Sequence, residues 1–451
     1  MMYNLLEQPW LSVIYNNGVA ARISLIEALS KAHQLQIAYP NPMDRIAVFR
    51  FILAMSLWCK QKTGDPIKDR IPPRWFSYLA DQKPMFELYG DDKRFMQSRG
   101  LIRLRPVTEL FHEVPTGNNA WHFHHSRDYG DGVCLHCIVN GILRLPVFSV
   151  SGLPDLKSGI NGSPPIYCVN WPDNLLEALI QNWPSEANLG APNWVYQYQF
   201  SPSDSVPLLA GLTVPARLLF LNDPVESKEA CSACGEKPGH LVYSCLYESA
   251  GILENQSWKD PFAVYKDDRA LKASNIVGTG KLAFDMRYRG LLSTILKDMS
   301  FEQSRSILIV GFAVDKAKYV DIWEKTLQIE PLAINPEILE ILEHWNDSVK
   351  FTLNHKSLNR FKNFKASLAS DLGPQTEAIF YKKLKAALRS NGLVWDDLSD
   401  SNQLATRIIS KAMLPGISSK LSHERFFIRS SIPKVQQSKQ KKGGNADEQQ
   451  S

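Results

Sequence analysis

Two Cys-x-x-Cys pairs, Cys134-Leu135-His136-Cys137 and Cys231-Ser232-Ala233-Cys234, lie 97 residues apart in this chain. A pair at that spacing turns tightly enough for both sulfurs to reach one ion. Four soft thiolates in tetrahedral array suit structural zinc and leave no open position for a reactive water. The separation is far too long for a compact finger, so the ion would clip two distant segments of one domain. Gly235 follows the second pair, as a metal knuckle requires. The expected ligands are Cys134, Cys137, Cys231 and Cys234, with four reduced thiols as the plainer alternative.

Composition narrows the setting. Seven cysteines in 451 residues, an odd number with four in pairs, argue against a secreted disulfide framework and for a reducing cytoplasm. The opening MMYNLLEQPWLSV has no basic leader and is broken by Glu7, Gln8 and Pro9, so it does not read as a signal peptide. No uncharged run approaches the roughly 20 residues that span a bilayer, and no membrane contact is expected. The net charge of +5 is unevenly placed: residues 331–451 hold 18 Lys and Arg against 12 Asp and Glu. Between Ser348 and Arg389, nine basic residues, Lys362, Lys365, Lys382 and Lys385 among them, face only Asp371 and Glu377. Such a run is either a solvated helix face or a surface for a polyanion.

Taken in order, the pattern predicts a strand over Trp10 to Tyr15, a turn at Asn16-Asn17-Gly18, a second short strand, and a helix after Ser24 with Glu27 closing a capping box. A helix from Pro42 to Gln61 is apolar on most of its girth, which predicts burial, with Arg45 and Arg50 ion-paired or packed. A further helix is expected around Trp75 to Leu79. Residues 100–165 read as loop-rich, a helix is expected over Trp171 to Trp183, and a strand-rich region runs on through Tyr265. Residues 306–329 read as a β-hairpin with Asp315-Lys316-Ala317 at its tip. After Asn335-Pro336 the pattern turns to amphipathic helices. The fold class is therefore α+β: a large mixed domain over 1–332 with the zinc site, a four-helix-like bundle over 333–432, and a disordered basic tail over 433–451.

Catalytic signals are weak. Gly278-Thr279-Gly280-Lys281 lacks both the spacer and the following hydroxyl of a phosphate loop. The run His122-Phe123-His124-His125 with Asp128 and Asp131 offers metal-ligand types, which makes a metal-dependent hydrolase or nuclease the alternative reading. No second ligand cluster completes such a site, and no nucleophile elbow appears. The chain reads as a binding protein, not an enzyme.

Several stretches together resemble the CasA family, the large subunit of the type I-E CRISPR surveillance complex Cascade. They are YNLLEQPWLSV followed by ISLIEAL, then Arg94-Phe95-Met96-Gln97, the two Cys pairs, Trp258-Lys259-Asp260-Pro261, and Pro374 with Glu377 and Phe380-Tyr381. The resemblance implies a non-catalytic subunit that reads a protospacer-adjacent motif (PAM) in double-stranded DNA, starts strand separation, and docks a helicase–nuclease. It implies guide crRNA and the other Cascade subunits as partners. Phe123, His124 and His125 match the loop that anchors the subunit near the crRNA 5′ handle. Ser151, Gly152, Leu153 and Pro154 match the minor-groove loop, and Asp315, Lys316 and Ala317 the duplex-splitting wedge. The chain departs from the family's pattern: one glycine remains in 151–154, and Asp-Lys stands where the wedge usually has Asn-Gln. The lysine that helps read the motif in some relatives would fall near Ser249 or Ala250, and the last bundle helix is short.

Overall fold

A helix with no polar face has to be surrounded, and Pro42–Thr63 is such a helix. The computed structural model of the protein describes residues 3–114, 131–150, 156–186, 188–266, 269–272, 305–315 and 318–329. Three elements precede the long helix: β1 (Leu11–Tyr15), β2 (Ala20–Ile23) and α1 (Leu25–Ser30). Ser24 caps α1 by accepting from the Glu27 N–H at 3.1 Å. After β3 (Leu35–Ile37), the three strands form an antiparallel sheet in the order β2-β1-β3. The long helix, α2, opens with Asn41 accepting from the Met43 N–H at 2.9 Å and Pro42 in its first turn. It stops at Gly64, whose φ of +79° is a left-handed cap that only glycine adopts without strain.

Side chains from Met43 to Cys59 on α2 are buried on every face except at Arg45. Trp58 and Phe51 join Phe86, Phe95 and Trp194 in one aromatic cluster, with Phe51 and Trp194 centroids 5.5 Å apart and Trp58 and Trp194 6.0 Å apart. Each fully buried large side chain contributes about 1.5–3 kcal/mol, so this cluster is a principal source of stability. α3 (Pro73–Asp81) packs against α2 and buries Trp75 and Leu79.

The remaining elements arrange themselves around α2. They are β4 (Leu104–Pro106), α4 (Leu135–Arg144), β5 (Tyr167–Asn170), α5 (Leu175–Gln181) and α6 (Leu208–Thr213). Then come β6 (Arg217–Leu221), β7 (Val225–Glu226), β8 (His240–Leu241), β9 (Ser244–Ser249), β10 (Tyr265–Lys266) and β11 (Arg269–Ala270). The last pair is β12 (Arg305–Asp315) and β13 (Lys318–Ile329). A second sheet has the order β4-β9-β6 and a third the order β13-β12-β5, while β7-β8 and β10-β11 are two-stranded ribbons. The described residues all belong to one unit of the chain, built from 1–275 and 297–331. The bundle expected over 333–432 and the tail over 433–451 lie outside the described residues.

Differences from the sequence reading have local causes. The helix expected over Trp171 to Trp183 starts only at Leu175, because the Trp171 N–H is taken by Ser306 at 2.7 Å and Asn174 caps the helix. Residues 171–174 are neither helix nor strand, and β5 just before them pairs with β12. Within 100–165, read as loop-rich, α4 begins inside the first Cys pair, with Cys134 as its N-cap. Its apolar pattern is interrupted by Gly141, where a Cβ would come within 3.0 Å of Leu110. Close packing dictates that glycine, not a turn. The hairpin is antiparallel as expected, with Ile307 opposite Leu327 and Asp315 opposite Lys318.

Arg50 and Arg45 are both ion-paired. Arg50 is 1% exposed and its Nη1 meets Asp260 Oδ1 at 2.7 Å. Arg45 meets Glu324 on β13 at 2.6 Å. Replacing Asp260 by Ala leaves a guanidinium buried without its counter-charge, so unfolding free energy should fall by about 3–5 kcal/mol in chemical denaturation. A double replacement, Arg50→Met with Asp260→Leu, should recover most of that loss.

Candidate metal centre and nucleic-acid interface

Cys134 is the N-cap residue of α4, which places Cys137 one turn further along the same helix end. The partner pair arrives on the β7–β8 side of the chain. Gly132 accepts from the Ser232 N–H and hydroxyl, both at 2.9 Å, and Val133 exchanges two backbone bonds with Val242 at 2.8 and 2.9 Å. The second pair turns on itself: the Gly235 N–H reaches the Cys231 carbonyl at 2.8 Å, with Gly235 at φ +76°. Glu236 then forms a two-pronged pair with Arg22 on β2 at 2.6 and 3.0 Å, fastening the knuckle to the first sheet.

Ligating atoms of Cys134, His136, Cys137 and Cys234 all lie within 4.8 Å of one another. The Sγ atoms of Cys134 and Cys234 are 3.8 Å apart. A tetrahedron with metal–sulfur bonds of about 2.3 Å has edges of about that length, so the spacing fits a bound ion. Cys231 joins from the side, its Sγ accepting from the N–H groups of Cys134 at 3.3 Å and Ala233 at 3.4 Å. Such bonds favour the thiolate. Hydrogen bonds with Cys134 and Cys137 draw the Cys231 thiol down to about 6, and the same two partners lower Cys234. Cys137 is pushed up, chiefly by Cys134. Cys134 is pushed up as well, so two thiols are favoured as thiolates and two as neutral groups, and a divalent cation would draw the proton from the latter. His136 was not among the residues expected to face the ion. Its Nδ1 sits 3.3 Å from Cys134 Sγ, and the only sequence signal was its place inside the first pair.

α4 also links the cluster to the chain on either side of it. Arg144, 3% exposed at its far end, meets Asp44 on α2 at 2.6 Å and Glu113 at 2.8 Å, and Asn41 donates to the same Glu113 carboxylate at 2.7 Å. Burial works to raise the Glu113 carboxyl, but Arg144 outweighs it and the net shift is downward. For Asp44 burial wins over Arg144, and its carboxyl is raised. Beside Glu113, the His112 ring packs on Phe312 of β12 at 5.2 Å and its Nε2–H donates to the Phe148 carbonyl at 3.0 Å. Phe148 meets Phe312 edge-on at 5.8 Å. Residues just before 115–130, just before 151–155 and on the hairpin therefore share one packed base.

Of the residues expected at the site, Cys134, Cys137 and Cys234 fall within one cluster with His136, while Cys231 lies outside that group and adjoins it through the Cys134 N–H. Phe123, His124 and His125, the alternative metal loop from His122 to Asp128, and Ser151, Gly152, Leu153 and Pro154 lie outside the described residues. So do Lys316, Ala317, Lys362, Lys365, Lys382 and Lys385; Asp315 is placed, through its backbone, as the last residue of β12. Among the described residues, no helix is long and apolar enough to cross a membrane.

The geometry defines a mixed α/β protein in which a thiolate knuckle staples α4 to a distant ribbon. The sequence model of CRISPR-associated protein Cse1 matches residues 4–350. CasA/Cse1 of Thermus thermophilus is 23% identical over 384 residues, covering 76% of this chain and 74% of its own length. Among solved structures, Thermus thermophilus CasA (Cse1) superposes with a TM-score of 0.57 at 16% identity, covering 96% of this chain and 100% of its own. Thermobifida fusca Cse1 gives 0.60 at 16% identity, covering 94% and 92%. A chain of a CRISPR RNA-guided surveillance complex gives 0.58 at 15% identity, covering 96% and 99%. The chain belongs to the Cse1 (CasA) family, the large subunits of type I-E Cascade.

His112 supplies a pH signature. Burial, against the opposing pull of Glu113, depresses its pKa from 6.5 to about 4, so the folded protein holds the neutral ring. Between those values the unfolded chain binds the extra proton, so stability falls as pH drops from about 6.5 towards 4 and levels off below. The residue as a whole is half-buried, and solvent screening limits the loss to about 2 kcal/mol. His112→Asn should remove that component from the pH dependence of the denaturation midpoint.

Proposed function

We propose that this chain is the non-catalytic large subunit of an RNA-guided surveillance complex that reads a PAM in double-stranded DNA and begins strand separation. The match to the Cse1 family over 4–350 carries this reading. Its partners would be the crRNA 5′ handle through Phe123, His124 and His125, the other Cascade subunits, and a helicase–nuclease recruited once the DNA is open. The 151–154 segment would lie in the minor groove, and Asp315, Lys316 and Ala317 would form the wedge. The two-residue connection between Asp315 and Lys318 supports a tight tip. Lys316 has an apolar stem able to cover an unstacked base while its ammonium reaches a phosphate. Lys362, Lys365, Lys382 and Lys385 would contact the sugar–phosphate backbone. Exchanging a DNA duplex for an RNA–DNA hybrid is nearly balanced in energy, so a small wedge at the first steps is enough to gate it. Family membership favours this reading over a metal-dependent nuclease built on the His122–Asp131 loop.

The cation we propose for the thiolate cluster is structural zinc, about one per chain, held by Cys134, Cys137, Cys231 and Cys234 with His136 outside the ligand set. Elemental analysis should show Cys231→Ser losing the metal and His136→Ala retaining it. Cys134→Ser should cost several kcal/mol (~3–5) of stability, because metal loss is coupled to unfolding. The reverse pattern at Cys231 and His136 would replace one sulfur ligand by imidazole.

Function is tested at the hairpin tip. In the reconstituted complex, Asp315→Ala with Lys316→Ala should leave binding to a pre-opened target nearly unchanged. Binding to the fully paired target should weaken by the energy of opening one or two steps, about 1–3 kcal/mol. Equal losses on both targets, or none, would remove the wedge assignment.

A further inference from the structure

The turn Arg94-Phe95-Met96-Gln97 is anchored from both sides. Phe95 is 1% exposed and sits in the aromatic cluster around α2, its ring 5.6 Å from Phe51 and 5.8 Å from Phe86. Gln97 donates to the Leu88 carbonyl at 2.8 Å and accepts from the Leu221 N–H at 2.9 Å, which ties the turn to the end of β6. Between these anchors Met96 takes φ +51°, the one positive φ among the described non-glycine residues. Residues with side chains rarely adopt that conformation, and it persists only where the surroundings over-determine it.

This turn walls a cavity of 290 Å³ whose lining is of two kinds. Met96, Trp194 and Val195 supply apolar and aromatic surface, while Lys93, Arg94 and Arg99 set three cations against the one carboxylate of Asp92. Arg94 is held in place by protein groups. Its guanidinium carbon lies 5.0 Å from the Tyr89 ring centre and 4.5 Å from that of Phe220, and Nη1 donates to the Leu221 carbonyl at 2.9 Å. Its charge is matched loosely, by Asp223 at 3.5 Å, a side chain 85% exposed. Lys93 and Arg99 are exposed. The buried Arg94 Nε and Trp194 Nε1 have no hydrogen-bond partner among the described residues, so unmatched donor dipoles add to the net positive charge of this wall. Gln197, which donates to Ser98 Oγ at 3.3 Å, brings a carboxamide able both to donate and to accept.

A bare inorganic anion would satisfy the cations and leave the apolar wall unused. A ligand that uses both walls has a flat apolar body, polar edges and an anionic group. It is also small, since the cavity lies at the lower end of the range of about 300–1,000 Å³ usual for ligand sites. A nucleoside 5′-phosphate is built this way: every base offers a π-face for stacking, and phosphate is the natural partner of a fixed guanidinium.

We propose that this cavity binds a nucleoside 5′-phosphate, its base against the Met96–Trp194 wall and its phosphate held by Lys93, Arg94 and Arg99. A free nucleotide and an unpaired residue of a strand share that chemistry, and the experiment separates them. None of the lining residues belongs to the metal cluster or to the hairpin, so the site stands whether or not the function proposed above does.

The test titrates the full-length chain calorimetrically with adenosine 5′-monophosphate (AMP), with adenosine, with inorganic phosphate and with a single-stranded oligoadenylate. Wild type should bind AMP at one site per chain, at least about tenfold more tightly than adenosine or phosphate. K93A with R99A removes two exposed cations; it should keep the wild-type melting temperature, weaken AMP by at least about tenfold and leave adenosine within about twofold. V195W fills the cavity without touching a cation and should weaken AMP and adenosine alike. An oligoadenylate that competes with AMP and is weakened by both variants places the nucleotide in a strand; one that does not compete leaves the free nucleotide as the ligand. No AMP binding by wild type at about 10 mM overturns the site. AMP binding that V195W leaves intact lies elsewhere and overturns it equally. Equal losses of AMP and adenosine in K93A with R99A overturn the phosphate assignment.

Discussion

Burial of α2 on all sides is the constraint to which the other elements answer. A helix of 22 residues apolar around its girth needs partners in every direction, and the chain supplies α3, α4, α6 and the β12–β13 hairpin around it. The cost appears in its charged residues. Asp44 and Arg50 cannot reach water, so each acquires an opposite charge from far along the sequence: Arg144 for the first, Asp260 for the second. These pairs add little net energy against apolar replacements of the same volume, but they penalise any packing that separates them. They therefore select one docking of α4 and of the Trp258–Pro261 segment against α2. The surface loops inherit that registration.

How much of this could be read from residues alone varied with how local the cause was. The Ser24 cap, the Gly18 turn, the burial of α2 and the hairpin were legible because each follows from a period or a cap within a few residues. The thiolate cluster was legible as chemistry, since soft ligands at a two-residue spacing have few other uses. His136 was not, because its approach depends on how the second pair folds over the first. α4 was hidden by Gly141, a residue that weakens a helix in isolation and is demanded there by the closeness of Leu110. The Glu113–Arg144–Asp44 cluster was invisible for a plainer reason. Its carboxylates lie 31 and 100 residues from Arg144, and nothing in a linear pattern marks them as meeting one guanidinium.

Sequence identity near 16% with solved relatives, over almost the whole chain, is consistent with that division of labour. A core of this kind tolerates wide substitution as long as volume and polarity pattern persist. Loops presented from a rigid base tolerate more still.

The long sequence interval inside the sulfur cluster has a consequence for biosynthesis. The first pair leaves the ribosome 97 residues ahead of the second, and at about 5–20 residues per second that is roughly 5–20 s. During that interval Cys134 and Cys137 are a two-thiol site at the start of a nascent helix, able to hold an ion weakly or to be oxidised. Closure waits for Cys231 and Cys234, by which time β1 to β3, α2 and α4 have all been synthesised. An ion held there would thus be a late fastener, captured only after both segments it joins have been made.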